Sequence, residues 1–322
     1  MNESFFKRNY KRLKNKGFNY YWRTLWSLPK YLVRPDIIDA FGTKWTYRHL
    51  ARYDHAIDKP TFAKPPMRVA GQLDKGVNPF PDKIWVLWYQ GIDNAPEIVR
   101  ACVSSIRNHA GDCEVILLTS ANLGDYILMP DFVMEKYKRG IITSANFADI
   151  LRYSLLALYG GIWMDATIFL SGPVPQWIEE APMFFHRFAP SENFIDEYLG
   201  TAWFIKSEWN NPIMSGTSNE MIEYWRCENH LYAYLVINLI LTRVIRHDSR
   251  NRSLFEAMPV MFRDDCGMLR YCLERQFDEK AYERMCSLTP IHKLSYKLMS
   301  GKSRQDLGKP GTFYEMILGK SI

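Results

Sequence analysis

The order of apolar segments along the 322-residue chain predicts an α/β fold: a parallel sheet with a helical extension in front and a mainly helical part behind. Three observations carry this reading. Short apolar runs alternate with amphipathic ones between residues 84 and 138, a Gly-Gly pair separates a helical pattern from an apolar strand at residues 160–161, and beyond Trp203 the periodicity turns helical.

Residues 1–75 read as the extension, its end loosened by Pro60, Pro65 and Pro66, and residues 76–322 as the main domain. The first strand falls at 84–88, a helix at 96–109, a second strand at 115–118 and another helix at 132–138. Thr143 or Ser144 caps the next helix, because a hydroxyl there accepts from unpaired backbone N–H groups. On that helix Leu151, Leu155 and Leu158 form a buried stripe, while Asp149, Arg152 and Tyr153 share a different face. Gly160 and Gly161 suit a left-handed stop. Ile162, Trp163 and Met164 then make a short buried strand that ends in Asp165. Residues two apart on an extended chain point the same way, so Asp165 and Thr167 look out together. One acid, one hydroxyl and a helical Asp–Arg pair thus meet at a strand's carboxyl end, where open α/β sheets bind ligands. A carboxylate ending an apolar strand is costly unless compensated, and a metal-bound, multiply charged ligand would compensate it. Helices at 214–225 and 232–245 follow, and Asp264, Asp265, Glu220 and Glu223 read as surface or capping acids.

The run FADILRYSLLALYGGIWMDAT closely resembles the capsular polysaccharide synthesis proteins, relatives of the family 32 sugar transferases and of the glucosylating clostridial toxins. The resemblance starts at Pro81-Asp82-Lys83-Ile84-Trp85 and runs through Asp93-Asn94-Ala95-Pro96, Glu114-Val115-Ile116-Leu117-Leu118 and Ala202-Trp203-Phe204-Ile205. It closes on Ile291-His292-Lys293-Leu294-Ser295-Tyr296-Lys297, covering about residues 80–300. It implies a GT-A fold, a Rossmann-like nucleotide-sugar-binding sheet, and sugar transfer from a nucleotide-sugar donor, a UDP-sugar ahead of a GDP-sugar, with a divalent metal (Mn2+ or Mg2+). Asp165 matches the first acid of the family's Asp-X-Asp element, which meets metal and diphosphate. Asp149 and Arg152 match the pair that holds the donor's sugar hydroxyls, with Tyr153 beside them. Trp85, Trp88 and Gln90 lie where the first strand lines base and ribose. His292 lies where such enzymes supply a further metal or diphosphate contact, and Lys293 and Lys297 are cations for the leaving group. Thr167 stands where wider relatives carry a second acid, and a hydroxyl is a poorer ligand for a hard cation. Either Asp165, His292 and the diphosphate hold the metal, or basic residues partly replace it.

Composition bounds these readings. A content of 47% hydrophobic residues is ample for a core, and ten Trp offer stacking platforms although most pack inside. The six cysteines show no C-x-x-C pair and read as reduced thiols of a cytosolic protein. No stretch spans a bilayer, and the start of the chain lacks a signal-peptide pattern. The net charge of +6 is concentrated between Lys7 and Arg34, where basic residues interleave with aromatics such as Trp22 and Trp26 and no acid intervenes. This segment suits an anionic membrane surface, and it equally suits a helix packed on the main domain. No nucleic-acid-binding element accompanies the charge, so no nucleic-acid partner is expected.

The expectation is therefore a hexosyl-transferring enzyme of bacterial surface-glycan synthesis, retaining by resemblance, with a saccharide or lipid-linked glycan acceptor at the cytoplasmic face of the membrane. Two rivals stand beside it. One is a phosphotransferase or phosphatase with Asp165 as nucleophile, which the neutral Thr167 counts against. The other is a catalytically silent scaffold that binds nucleotide sugars.

Overall fold

A computed structural model describes residues 43–188, 198–296 and 310–319, so the basic segment at 5–34 and Lys297 lie outside the described residues. Residues 43–49 are helical and run into a 3-10 helix, Leu50–Ala56, followed by α1 (Met67–Asp74). Then β1 (Lys83–Leu87), α2 (Glu97–Asn108) and β2 (Glu114–Leu118) alternate as expected. Next come α3 (Asp131–Lys138), α4 (Ser144–Tyr159), β3 (Gly161–Met164), β4 (Ile168–Leu170), α5 (Gln176–Glu179), β5 (Met183–Phe185) and β6 (Phe204–Ser207). The remainder is mainly helical: α6 (Pro212–Cys227), α7 (Val236–His247), α8 (Ser249–Glu256), α9 (Arg263–Cys272), α10 (Glu279–Leu288), the short β7 (Ile291–Lys293) and α11 (Phe313–Gly319).

The fold is mixed α/β, as the alternation predicts. The main sheet has the order β2-β1-β3-β6-β5; β1 pairs parallel with β2 and β3, whereas β6 and β5 are antiparallel additions. A second sheet of two antiparallel strands joins β4 to β7, with Ile168 opposite Lys293 and Leu170 opposite Ile291. The buried strands of the main sheet read as continuous apolar runs because both faces are covered. On one side α4 lies against α6, close enough for Ser154 Oγ and Ser218 Oγ to meet at 2.6 Å. Glu220 on α6 is fully buried, not a surface or capping acid, because α6 is packed between α4, α7 and the Leu50–Ala56 turn. Tyr53 from that turn donates to Glu228 at 2.7 Å, tying the front of the described chain to the end of α6. The helix expected from Tyr232 starts only at Val236. The Tyr232 N–H donates instead to the Tyr224 hydroxyl at 3.1 Å.

Local sequence sets the crucial connection. Thr143 caps α4, its hydroxyl accepting from Asn146 N–H at 3.3 Å. Gly160 and Gly161 both adopt positive φ, 68° and 89°. A Cβ at Gly161 would lie 2.4 Å from the Lys83 carbonyl oxygen, and one at Gly160 would lie 2.5 Å from Trp209 N. The pair thus lets β3 press against β1 immediately after the helix ends. No helix among the described residues is long and apolar enough to cross a membrane.

Candidate functional site

At the carboxyl end of β3 the chain turns through Asp165, Ala166 and Thr167 into β4, a turn closed by Ile168 N–H donating to Asp165 O at 2.8 Å. The Asp165 backbone N–H also bonds the Trp203 carbonyl at 2.9 Å, which fixes the turn to the strand pair beside it. Onto this turn converge side chains from three further places. From α4, Arg152 Nη2 donates to Asp165 Oδ1 at 2.8 Å, while its Nη1 bonds Asp149 Oδ1. From β3, Trp163 Nε1 donates to the same Asp165 Oδ1 at 3.0 Å, and its ring lies 5.2 Å from the Arg152 guanidinium carbon. From β7, Lys293 Nζ donates to Asp165 Oδ2 and to Thr167 Oγ1, both at 2.7 Å.

The cluster grades from closed to open. Side-chain exposure is 8% for Arg152 and 12% for Asp149, against 26% for Asp165 and 24% for Lys293. Burial works against the Asp165 carboxylate, but Lys293 and then Arg152 outweigh it and hold the group below the usual carboxylate range. Asp149 goes the other way. Burial pushes it up to about 6, only partly opposed by Arg152 and reinforced by Asp165. The compensation expected from an outside ligand is therefore supplied within the chain, by one guanidinium, one ammonium and one indole N–H.

The other predicted residues separate. Trp88, partly exposed beyond the end of β1, packs edge-on against Tyr296 at 5.5 Å, and its Nε1 is buried without a hydrogen-bond partner among the described residues. Gln90 sits exposed in the following turn. Trp85 does not line the crevice: it is completely buried among Phe80, Tyr126 and Tyr159, and Nε1 donates to Gly160 O at 2.9 Å. Tyr153 is likewise fully buried, its hydroxyl without a partner. His292 is turned away from Asp165. Neighbouring strand residues face opposite sides, so the register that sends Lys293 to Asp165 sends His292 to Ser171 Oγ at 3.0 Å. Burial there lowers its pKa to about 4.

Trp163 and Tyr296 went unassigned in the sequence reading. Trp163 was detectable, since it stands two residues before Asp165 on the same strand and so shares its face. Tyr296 carries no such signal, because its place depends on β7 crossing to β4.

The donor set does not suit a divalent metal. Among the described residues no three His, Cys, Asp or Glu side chains come together to hold one. Both Asp165 oxygens and the Thr167 hydroxyl are already engaged by cations or N–H donors.

Known proteins add an independent line. One relative, the O-glycosyltransferase braB of Annulohypoxylon truncatum, is 31% identical over 96 residues, 27% of this chain and 23% of that protein's length. Among solved structures, PaToxG Glycosyltransferase aligns with a TM-score of 0.37 and 14% identity over 89% of this chain and 98% of the other. The family model for the capsular polysaccharide synthesis protein matches residues 68–317. That span runs from α1 into α11 and takes in every residue of the Asp165 cluster: the chain belongs to the capsular polysaccharide synthesis protein family.

Proposed function

We propose that the protein is a glycosyltransferase of surface-polysaccharide synthesis. It moves a hexosyl unit, with retention of configuration, from a nucleotide sugar (a UDP-sugar first) to a saccharide or lipid-linked glycan acceptor. The observation that carries this is the Asp165 turn: a partly open carboxylate at a strand's carboxyl end, with fixed cations on both of its oxygens and a helical Asp–Arg pair behind. Membership of a capsular polysaccharide synthesis family supports a glycan product, and one curated relative bears a glycosyltransferase name.

In the transfer, the bond between the sugar's anomeric carbon and the diphosphate oxygen breaks, and its electron pair leaves with the diphosphate. The acceptor's hydroxyl oxygen forms the new bond to that carbon, and its proton passes to the departing diphosphate. Positive charge grows on the sugar and negative charge on the diphosphate, so groups oriented before the reaction lower the barrier. Asp149 is suited to accept from sugar hydroxyls, and the Trp88–Tyr296 edge to pack against base and ribose. The basic segment at 5–34 supplies cations for an anionic bilayer that carries the acceptor.

The test is a panel of UDP- and GDP-sugars, offered to the protein and to Asp165→Asn, with hydrolysis and transfer followed by release of nucleotide. At least one donor is turned over, and the variant loses on the order of 10²-fold or more. Equal rates in the two proteins, or no nucleotide sugar accepted at all, would overturn the assignment.

A further inference from the structure

We propose that the Lys293 ammonium takes the place of a divalent cation at this site, so that the protein binds the diphosphate of its donor without metal. The inference rests on the nucleotide-sugar reading above and adds to it what meets the phosphates.

Four observations converge. First, Asp165 Oδ2, on a partly exposed side chain, and Thr167 Oγ1, on a buried one rather than one that looks out as expected, both meet one atom, Lys293 Nζ, at 2.7 Å. A metal bound by this turn would have to occupy the volume that the ammonium fills. Second, an ammonium has three N–H donors; two are used among the described residues, and the partly exposed side chain leaves the third for a phosphate oxygen. Third, Lys293 is held from its backbone: it pairs with Ile168 across β4–β7, and Leu294 N–H bonds Thr167 O at 2.9 Å. The cation is therefore fixed to the turn it serves, which a surface lysine is not. Fourth, Arg152 is shared between Asp149 and Asp165, so Lys293 is the cation that serves the Asp165 turn alone. The neutral Thr167 fits this arrangement, since it needs only to accept from the ammonium, whereas a hard divalent cation prefers a carboxylate.

The experiment is calorimetric titration of the full-length protein with UDP and with GDP, in EDTA and in manganese, while thermal unfolding reports on the fold of each variant. The expected result is the same Kd in EDTA and in manganese for the wild-type chain. Lys293→Met weakens binding in both by on the order of tenfold or more, as removal of a charge-assisted hydrogen bond does, and Lys293→Arg retains most of it. Lys293→Glu sets a second carboxylate beside Asp165, so it loses binding in EDTA and regains it with manganese. Wild-type binding that requires manganese overturns the inference while leaving the donor site standing. Binding indifferent to Lys293→Met overturns it as well. Absence of binding to either nucleotide in every condition removes the donor-site reading and this inference together. If Lys293→Met does not fold, the wild-type comparison of EDTA with manganese still decides.

Discussion

Two buried clusters in this molecule are assembled from the same parts, two acids and an arginine, and they differ in everything that matters for chemistry. Around Asp165, each carboxylate oxygen has a donor, and the carboxylate and Lys293 are partly open to solvent. In the helical layer, Arg243 of α7 is given over to Asp54, with Nη2 on Oδ1 at 2.6 Å and Nε on Oδ1 at 3.1 Å, and Nη1 reaches Tyr47 O at 2.8 Å. Glu220 lies 3.6 Å from the same Nε, fully buried, and neither of its oxygens has a hydrogen-bond partner among the described residues. Burial raises its pKa well above the ordinary range, against the pull of Arg243 and with the push of Asp54. Charge density does not distinguish a site from a strut; access and donor satisfaction do. The first cluster keeps at an opening an acid held below its usual range, and the second closes among packed helices one that burial pushes above it.

Substitution of the two arginines is the severest way to break this contrast. Arg152→Met leaves Asp149 and Asp165 short of a counter-charge and is expected to lower stability by about 3–5 kcal/mol, whereas Arg243→Met leaves a partly exposed Asp54 and a Glu220 whose raised pKa favours the protonated form, and costs less. Urea unfolding of both variants reads the difference directly. Next in size is Gly161→Ala. Positive φ alone costs roughly 1–2 kcal/mol, and the contact with the Lys83 carbonyl adds to it, so a stability loss above that figure is expected in the same assay.

Asp165 and Glu220 should also respond oppositely to pH. Asp165 is held below the usual range, so its contribution to stability is present above the ordinary carboxylate pKa and is lost as pH falls below it. Glu220 is raised, so the folded state keeps a proton that the unfolded chain releases; stability declines as pH rises past the ordinary glutamate value. Unfolding free energies across pH should show a shallower acid limb in Asp165→Asn and a smaller decline with rising pH in Glu220→Gln, with Glu220→Gln leaving nucleotide-sugar turnover unchanged. Within the site, Asp149 titrates at about 6, so donor affinity is expected to fall on the acid side of that value and to lose this limb in Asp149→Asn, as measured by nucleotide-sugar titrations. The smallest effect belongs to Trp163→Phe. It removes one of two donors to the same oxygen while Arg152 keeps its hold, so the loss is expected to be about 1 kcal/mol or less, and thermal unfolding would report it.

Much of the site was readable before any fold was known because its core is local. The cap at Thr143, the stop at Gly160 and the spacing of Asp149 and Arg152 are all set within one helix, and Asp165 follows five residues after that stop by the sequence itself. Residues whose role depends on pairing between distant segments were harder to read. Whether His292 or Lys293 faces Asp165 is decided by the register of β7 on β4, and a three-residue strand has no periodicity from which to read its phase. Trp85 misled for a related reason: in a sheet covered on both faces, the two sides of a strand are equally apolar, so an indole gives no sign of whether it meets ligand or core. Glu220 was hidden by the assumption that charged residues stay at the surface, and the antiparallel β5 and β6 by the regular alternation that precedes them.

The β4–β7 ribbon has a consequence for biosynthesis. Its strands are joined across a long stretch of chain, with Lys293 separated from Asp165 by 128 positions. Synthesis delivers the Asp-Ala-Thr turn first and the lysine that completes it much later, so Asp165 lacks one of its two cationic partners until the chain has been made through Lys293.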